Sequence, residues 1–228
     1  MGPALEIGAL WAAFAGSHLA LSSRAWRAAL HARLGENGFR SLYSLIALAC
    51  FVPLVWIYAH AKHAGPLLWT TLGPSWLARA ANALLMGLAA VLCVAALLPR
   101  SAAPSSMAAP GASMMPRGLL RVTRHPLLSA FGLFGVAHLL VNGSLADVLF
   151  FGGWPLFAWV GARHQDARMR RERPGYAALA DATSIVPFVA IATGRQRLVA
   201  SELPLGAVGG GVALAVALRW WHASLFGG

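Results

Sequence analysis

Acidic residues are scarce in this chain: seven Asp and Glu stand against 18 Lys and Arg in 228 residues, and charged residues of both signs make up only 11%. So little charge cannot solvate the surface of a soluble domain of this length, and 58% of the residues are hydrophobic. The chain therefore reads as a membrane protein. Few carboxylates also leave little material for a paired acid/base site. Cysteine is nearly absent, with Cys50 and Cys93 both inside apolar runs. They do not report on redox compartment and read as small core residues. No G-x-S-x-G, H-E-x-x-H, phosphate-cradling G-x-x-x-x-G-K-[ST] or dinucleotide-type G-x-G-x-x-G motif occurs. No His/Cys/Asp/Glu cluster has the spacing of a zinc site. The N-terminal stretch has Glu6 and no basic residue before Arg24. It lacks the charged start of a secretory signal, so the first apolar segment is expected to remain as a membrane helix.

What is present is a series of apolar runs separated by basic connections. The runs cover about Pro3 to Leu21, Ser41 to Tyr58, Trp76 to Leu98, Pro126 to Val141, Leu145 to Ala162 and Leu203 to Trp221. Pro53 is a candidate kink in the second, and the Gly206/Gly210 spacing in the last allows close helix contact. The fold class expected is all-α, a polytopic transmembrane helix bundle of about six spans. Residues 59–75 read as a short outer loop, and 99–116, rich in Pro, Ala, Ser and Met, as a flexible one. The NGSLAD sequence reads as a tight turn, with Asp147 capping the helix that follows.

A formal charge of +11 raises the question of nucleic acid. The arginines, however, lie between apolar runs rather than on one face, so no nucleic acid is expected and the lipid bilayer is the partner. The connections after the first, third and fifth runs hold four, four and seven of the 18 Lys and Arg. The positive-inside rule then puts those connections in the cytoplasm and both termini in the periplasm of a bacterial inner (cytoplasmic) membrane. The tract 163–173 reads as a cytoplasmic helix facing water and anionic headgroups.

One stretch concentrates the candidate chemistry: RGLLRVTRHPLLSAFGLFGVAHLLVNG, residues 117–143. Pro126 suits the first position of a helix, which sets His125 where a basic segment turns into a buried one. A histidine there, close to water yet shielded on one side, suits a ligand or an acid/base. His18 ends the first run, so the expected topology gives His18 and His125 one depth. His138 lies thirteen residues past His125, roughly 20 Å along a helix at 1.5 Å per residue, and is not expected to share a metal with it. Two histidines at one depth could hold a haem iron from both sides, with Arg24, Arg121 and Arg124 available to the propionates. The competing reading is ordinary interfacial histidines, and spacing alone does not separate the two.

RVTRHPLLSAFGLFGVAHLLVNG, followed by TSIVPFVAI at 183–191, resembles the NnrU family of bacterial membrane proteins, which includes carotene isomerases of plants and cyanobacteria. The resemblance covers about residues 3–195, so 1–197 is expected as an NnrU-like membrane bundle and 198–228 as an additional C-terminal transmembrane helix. It implies haem b with His125 and His18 as axial ligands. It also implies either redox-dependent cis–trans isomerisation of a hydrophobic small molecule or an accessory role in nitrite and nitric-oxide metabolism. A second resemblance rests on Arg124-His125-Pro126, Arg171-Glu172 and Gly175-Tyr176. These are similar to the isoprenylcysteine and phospholipid methyltransferases and imply S-adenosylmethionine as the alternative cofactor. The tyrosine expected soon after R-H-P is replaced by Leu127-Leu128.

Overall fold

The computed structural model describes residues 2–69, 75–98 and 115–227. Among them every regular element is helical: α1 (Pro3–Ser22), α2 (Arg24–His60), α3 (Trp76–Leu97), α4 (Leu119–Val122), α5 (Pro126–Leu139), α6 (Leu145–Glu172), α7 (Tyr176–Ala182), α8 (Val189–Ala192), a 3-10 turn (Ala200–Glu202) and α9 (Leu205–Phe226). Four of these, α1, α2, α3 and α6, are long and apolar enough to cross a membrane. α5 is equally apolar but has 14 residues, short for a full span. Four glycines and Arg219 dilute the apolar character of α9, so four helices rather than six meet the full requirement of length and hydropathy. Most of the flexible connection expected at 99–116 lies outside the described residues.

The chain divides into two compact units, Met1–Leu72 with Leu139–Gly153, and Gly73–His138 with Trp154–Gly228. In the first, the basic connection expected at 22–40 is itself helical. α2 starts at Arg24 and is interrupted only at Gly35, with φ 68° and ψ 178°. That conformation is open essentially to glycine alone, so Gly35 ends the segment of Arg24, Arg27 and Arg33 and lets a new helix begin. Pro53 stays within helical backbone, so the break falls at the glycine and not at the proline. Trp11 packs on Gly153, where a Cβ would strike its indole, and its Nε1 donates to the Phe150 carbonyl at 3.0 Å.

The second unit has a core of Leu92, Ala95, Leu119, Val122, Ala130 and Ala207. α9 lies against α3 by way of Ala207 and Gly211, both buried. A Cβ on Gly211 would meet the Val91 backbone, while nothing lies near Gly206. The close contact is therefore a small-residue pair displaced by one position from the expected Gly206/Gly210 pair. α6 runs on from the apolar run through the basic tract to Glu172 without a break. A smaller cluster of Met169, Tyr176, Leu179 and Ala180 holds its C-terminal end to α7.

Candidate functional site

Two backbone clasps build the site around His125. Phe188 N–H donates to the Val122 carbonyl at 2.9 Å and Arg124 N–H to the Ser184 carbonyl at 3.1 Å. Thr123 Oγ1 and Ser129 Oγ both donate to the Ile185 carbonyl, at 2.8 and 3.0 Å. Ser184 Oγ in turn accepts from Ala190 N–H at 3.0 Å. Phe188 takes a left-handed φ of 65° to make this turn. The TSIVPF segment thus clamps the chain from the end of α4 to Arg124, extended at Thr123, and fixes where α5 begins. Pro126 occupies the first helical position, and the His125 carbonyl accepts the first helical bond from Ser129 N–H at 2.8 Å.

His125 is only 4% exposed, so it is buried rather than set at the water boundary as the sequence suggests. The reason is a carboxylate that sequence reasoning passed over. Asp166, on α6, lies 2.7 Å from His125 Nε2 through Oδ1. It accepts from Arg124 Nε at 3.1 Å and Arg124 Nη2 at 2.6 Å, and from the Tyr176 hydroxyl at 2.6 Å. Arg124 Nη1 also donates to the Ala180 carbonyl at 3.3 Å. A carboxylate is an acceptor only, so Nε2 of a neutral His125 carries the proton and Nδ1 keeps its lone pair. Nδ1 has no hydrogen bond among the described residues. Burial and the Asp166 hydrogen bond push the Tyr176 phenol above its ordinary range, so it remains a donor.

The other site residues expected from the sequence are placed differently. Arg121 is committed to Glu202, through Nε at 2.9 Å and Nη2 at 3.0 Å, and to Gln196 at 3.0 Å. Glu202 also accepts from Gly118 N–H at 2.7 Å. Arg121 and this N–H hold the Glu202 carboxyl down to about 2. Arg24 is exposed. His18 belongs to the first unit. Its Nδ1 lies 3.1 Å from the Phe14 carbonyl, and its ring packs against Phe14 and Tyr43. His18 and His125 thus fall in different units. No group of three or more His, Cys, Asp or Glu able to hold a metal ion occurs among the described residues.

The site's chemistry is accordingly that of an oriented imidazole, with one nitrogen fixed on a carboxylate and the other a free lone pair. Asp166 lay hidden because it sits in the arginine-rich RHQDARMRRERPGY, which reads as a solvated face. The signal that points to it is scarcity: it is one of only seven carboxylates, set where arginines surround it.

The family described as NnrU protein matches residues 7–228. That range includes α9, which the sequence reading sets apart. The chain is 27% identical over 169 residues to the 15-cis-zeta-carotene isomerase, chloroplastic, of Zea mays, covering 72% of this chain and 45% of that protein. The chain thus spans about half the length of the curated relative that it matches. No solved structure matches it.

Proposed function

Since the chain belongs to the NnrU family, we propose that it is a membrane-embedded isomerase-like enzyme that binds haem b and acts on the cis double bond of an apolar substrate. The observation that carries this reading is the His125–Asp166 pair. Metal-bound histidines commonly donate their second ring N–H to a carboxylate, which orients the ring and makes the bound nitrogen more basic. His125 has that arrangement, with Nδ1 left as the ligand atom. His18 is the proposed second ligand. Haem, when bound, supplies an iron that changes oxidation state and can take a π bond as a ligand. Arg121 and Arg124 are committed to protein carboxylates. In this reading they hold the His125 segment in place, and Arg24 is the arginine left for a propionate.

The protein's own groups account for the rest. Asp166 holds the imidazole in one tautomer, and Arg124 and Tyr176 hold Asp166 ionised. The bilayer delivers an apolar substrate laterally to helices whose outer faces are apolar. The reading places the chain in a bacterial inner membrane, with the three basic connections in the cytoplasm.

The test is the absorption spectrum of protein purified in detergent from haem-replete cells. A Soret band that shifts on reduction, and is lost in His125→Ala and weakened in His18→Ala, is expected. A colourless, haem-free preparation overturns the reading. Saturable calorimetric binding of S-adenosylmethionine, weakened by Arg124→Ala, would then favour the methyltransferase alternative.

A further inference from the structure

The first unit carries a second His–carboxylate pair beside a cavity, unrelated to the His125 site. Asp147, in the first turn of α6, is 1% exposed. It accepts from the Tyr58 hydroxyl at 2.9 Å, from Ser144 Oγ at 2.7 Å and from Ser144 N–H at 3.2 Å. Asp147 N–H returns a bond to Ser144 Oγ at 3.2 Å. Ser144 and Asp147 therefore close a reciprocal cap, and Asp147 does more than the capping that its position suggests. His63 Nδ1 lies 3.0 Å from Asp147 Oδ2. With an acceptor-only carboxylate at Nδ1, a neutral His63 keeps its lone pair on Nε2. Nε2 has no hydrogen bond among the described residues, and the side chain is 64% exposed.

The backbone is arranged to hold His63 there. Three bonds zip its loop to the start of α6: Leu68 N–H to Gly143 O at 2.8 Å, Leu145 N–H to Pro66 O at 3.0 Å and Ala146 N–H to Ala64 O at 3.1 Å. His63 itself adopts a left-handed φ of 58°, a conformation uncommon outside glycine. Capping alone needs none of this. Beside the pair lies a half-open cavity of about 240 Å³ bounded by Gly65, Leu67, Val141, Asn142 and Gly143 as well as His63 and Asp147. Cavities of about 150 Å³ already admit a benzene ring.

We propose that this cavity binds a flat, ring-sized ligand of phenol or quinone type, whose oxygen shares a hydrogen bond with His63 Nε2. Leu67 and Val141 give it apolar walls. A fixed imidazole backed by a carboxylate can accept from a phenol hydroxyl when neutral and donate to a quinone carbonyl when protonated. Asp147 lines the cavity and no Lys or Arg does among the described residues, so a strongly anionic ligand is disfavoured.

The probe is 2-methyl-1,4-naphthoquinone added to the full chain in detergent, read by quenching of tryptophan fluorescence. Trp69 packs on Gly143 at the cavity wall and is the expected reporter. Saturable quenching should be weakened at least tenfold in His63→Gly, which removes the imidazole while suiting the left-handed backbone. It should be unchanged in His125→Ala, which separates this proposal from the haem reading. Linear, non-saturating quenching in the wild type, or the same saturation curve in His63→Gly, overturns it. Trp69→Phe should remove most of the saturable quenching. An unmoved melting temperature in His63→Gly shows that any binding loss is not unfolding.

Discussion

Asp166 takes hydrogen bonds from three side chains, Arg124, His125 and Tyr176, and the energetic weight of the site falls on it. Asp166→Asn would leave the Arg124 guanidinium, itself only 10% exposed, without its counter-charge. Breaking one side of such a buried pair costs about 3–5 kcal/mol, whereas Tyr176→Phe, which removes one bond to a charged acceptor, costs about 2 kcal/mol. The two effects should be less than additive in a double-mutant cycle, because Tyr176 acts through Asp166. pH gives a sharper check. The phenol is raised above its ordinary value of about 10. A raised group adds stability that is complete below its unfolded pKa and fades as pH climbs toward the folded one. The melting temperatures of wild type and Tyr176→Phe should therefore converge above about pH 10, and a gap that widens there would reject this account. His125 could be picked out from the sequence because Pro126 marks a helix start. Asp166 could not, because periodicity in an arginine-rich tract describes an exposed face and carries no information on which residue across the fold turns toward it.

Helix placement was largely legible, because hydrophobic runs must be buried or lie in lipid. The ends of the apolar runs in α1, α3 and α5 match their helices closely. The failures have one origin. Basic residues break an apolar run in the sequence without breaking a helix, since Arg is a good helix former. α2 therefore extends through a tract that reads as a connection, and α6 joins its apolar run to the basic helix read at 163–173 without a break. Glycine spacing was ambiguous for a related reason: α9 has four glycines within six residues, and only packing against α3 selects which face is used. Gly211→Ala should destabilise the α3–α9 contact by about 1–3 kcal/mol, since the added methyl meets backbone that cannot move aside. Gly206→Ala meets nothing and should leave stability unchanged or slightly improved. Thermal unfolding of both variants in one detergent separates them, and equal losses would refute the contact.

At the scale of the whole chain, class and family were readable and the number of crossings was not. Composition identifies lipid as the solvent. It does not say whether α5, with 14 residues, or α9, diluted by glycine, completes a span, and that choice fixes which surface faces which side. Charge gives the stronger constraint. Translocating an arginine-rich connection is costly, so the tracts around Arg24–Arg40 and Arg163–Arg173 should stay with the cytoplasm, while the loop holding the lone Lys62 crosses. With Cys50 and Cys93 replaced by alanine, a membrane-impermeant maleimide should label Lys62→Cys in intact cells and Arg171→Cys only after permeabilisation. Arg27→Cys, ahead of the Gly35 break, should behave like Arg171→Cys. α2 resumes after that break and runs to His60, so this pair of labels also tests whether that one helix crosses the bilayer. Labelling of Lys62→Cys and Arg27→Cys from the same side would make α2 a surface helix and remove the depth argument that relates His18 to His125.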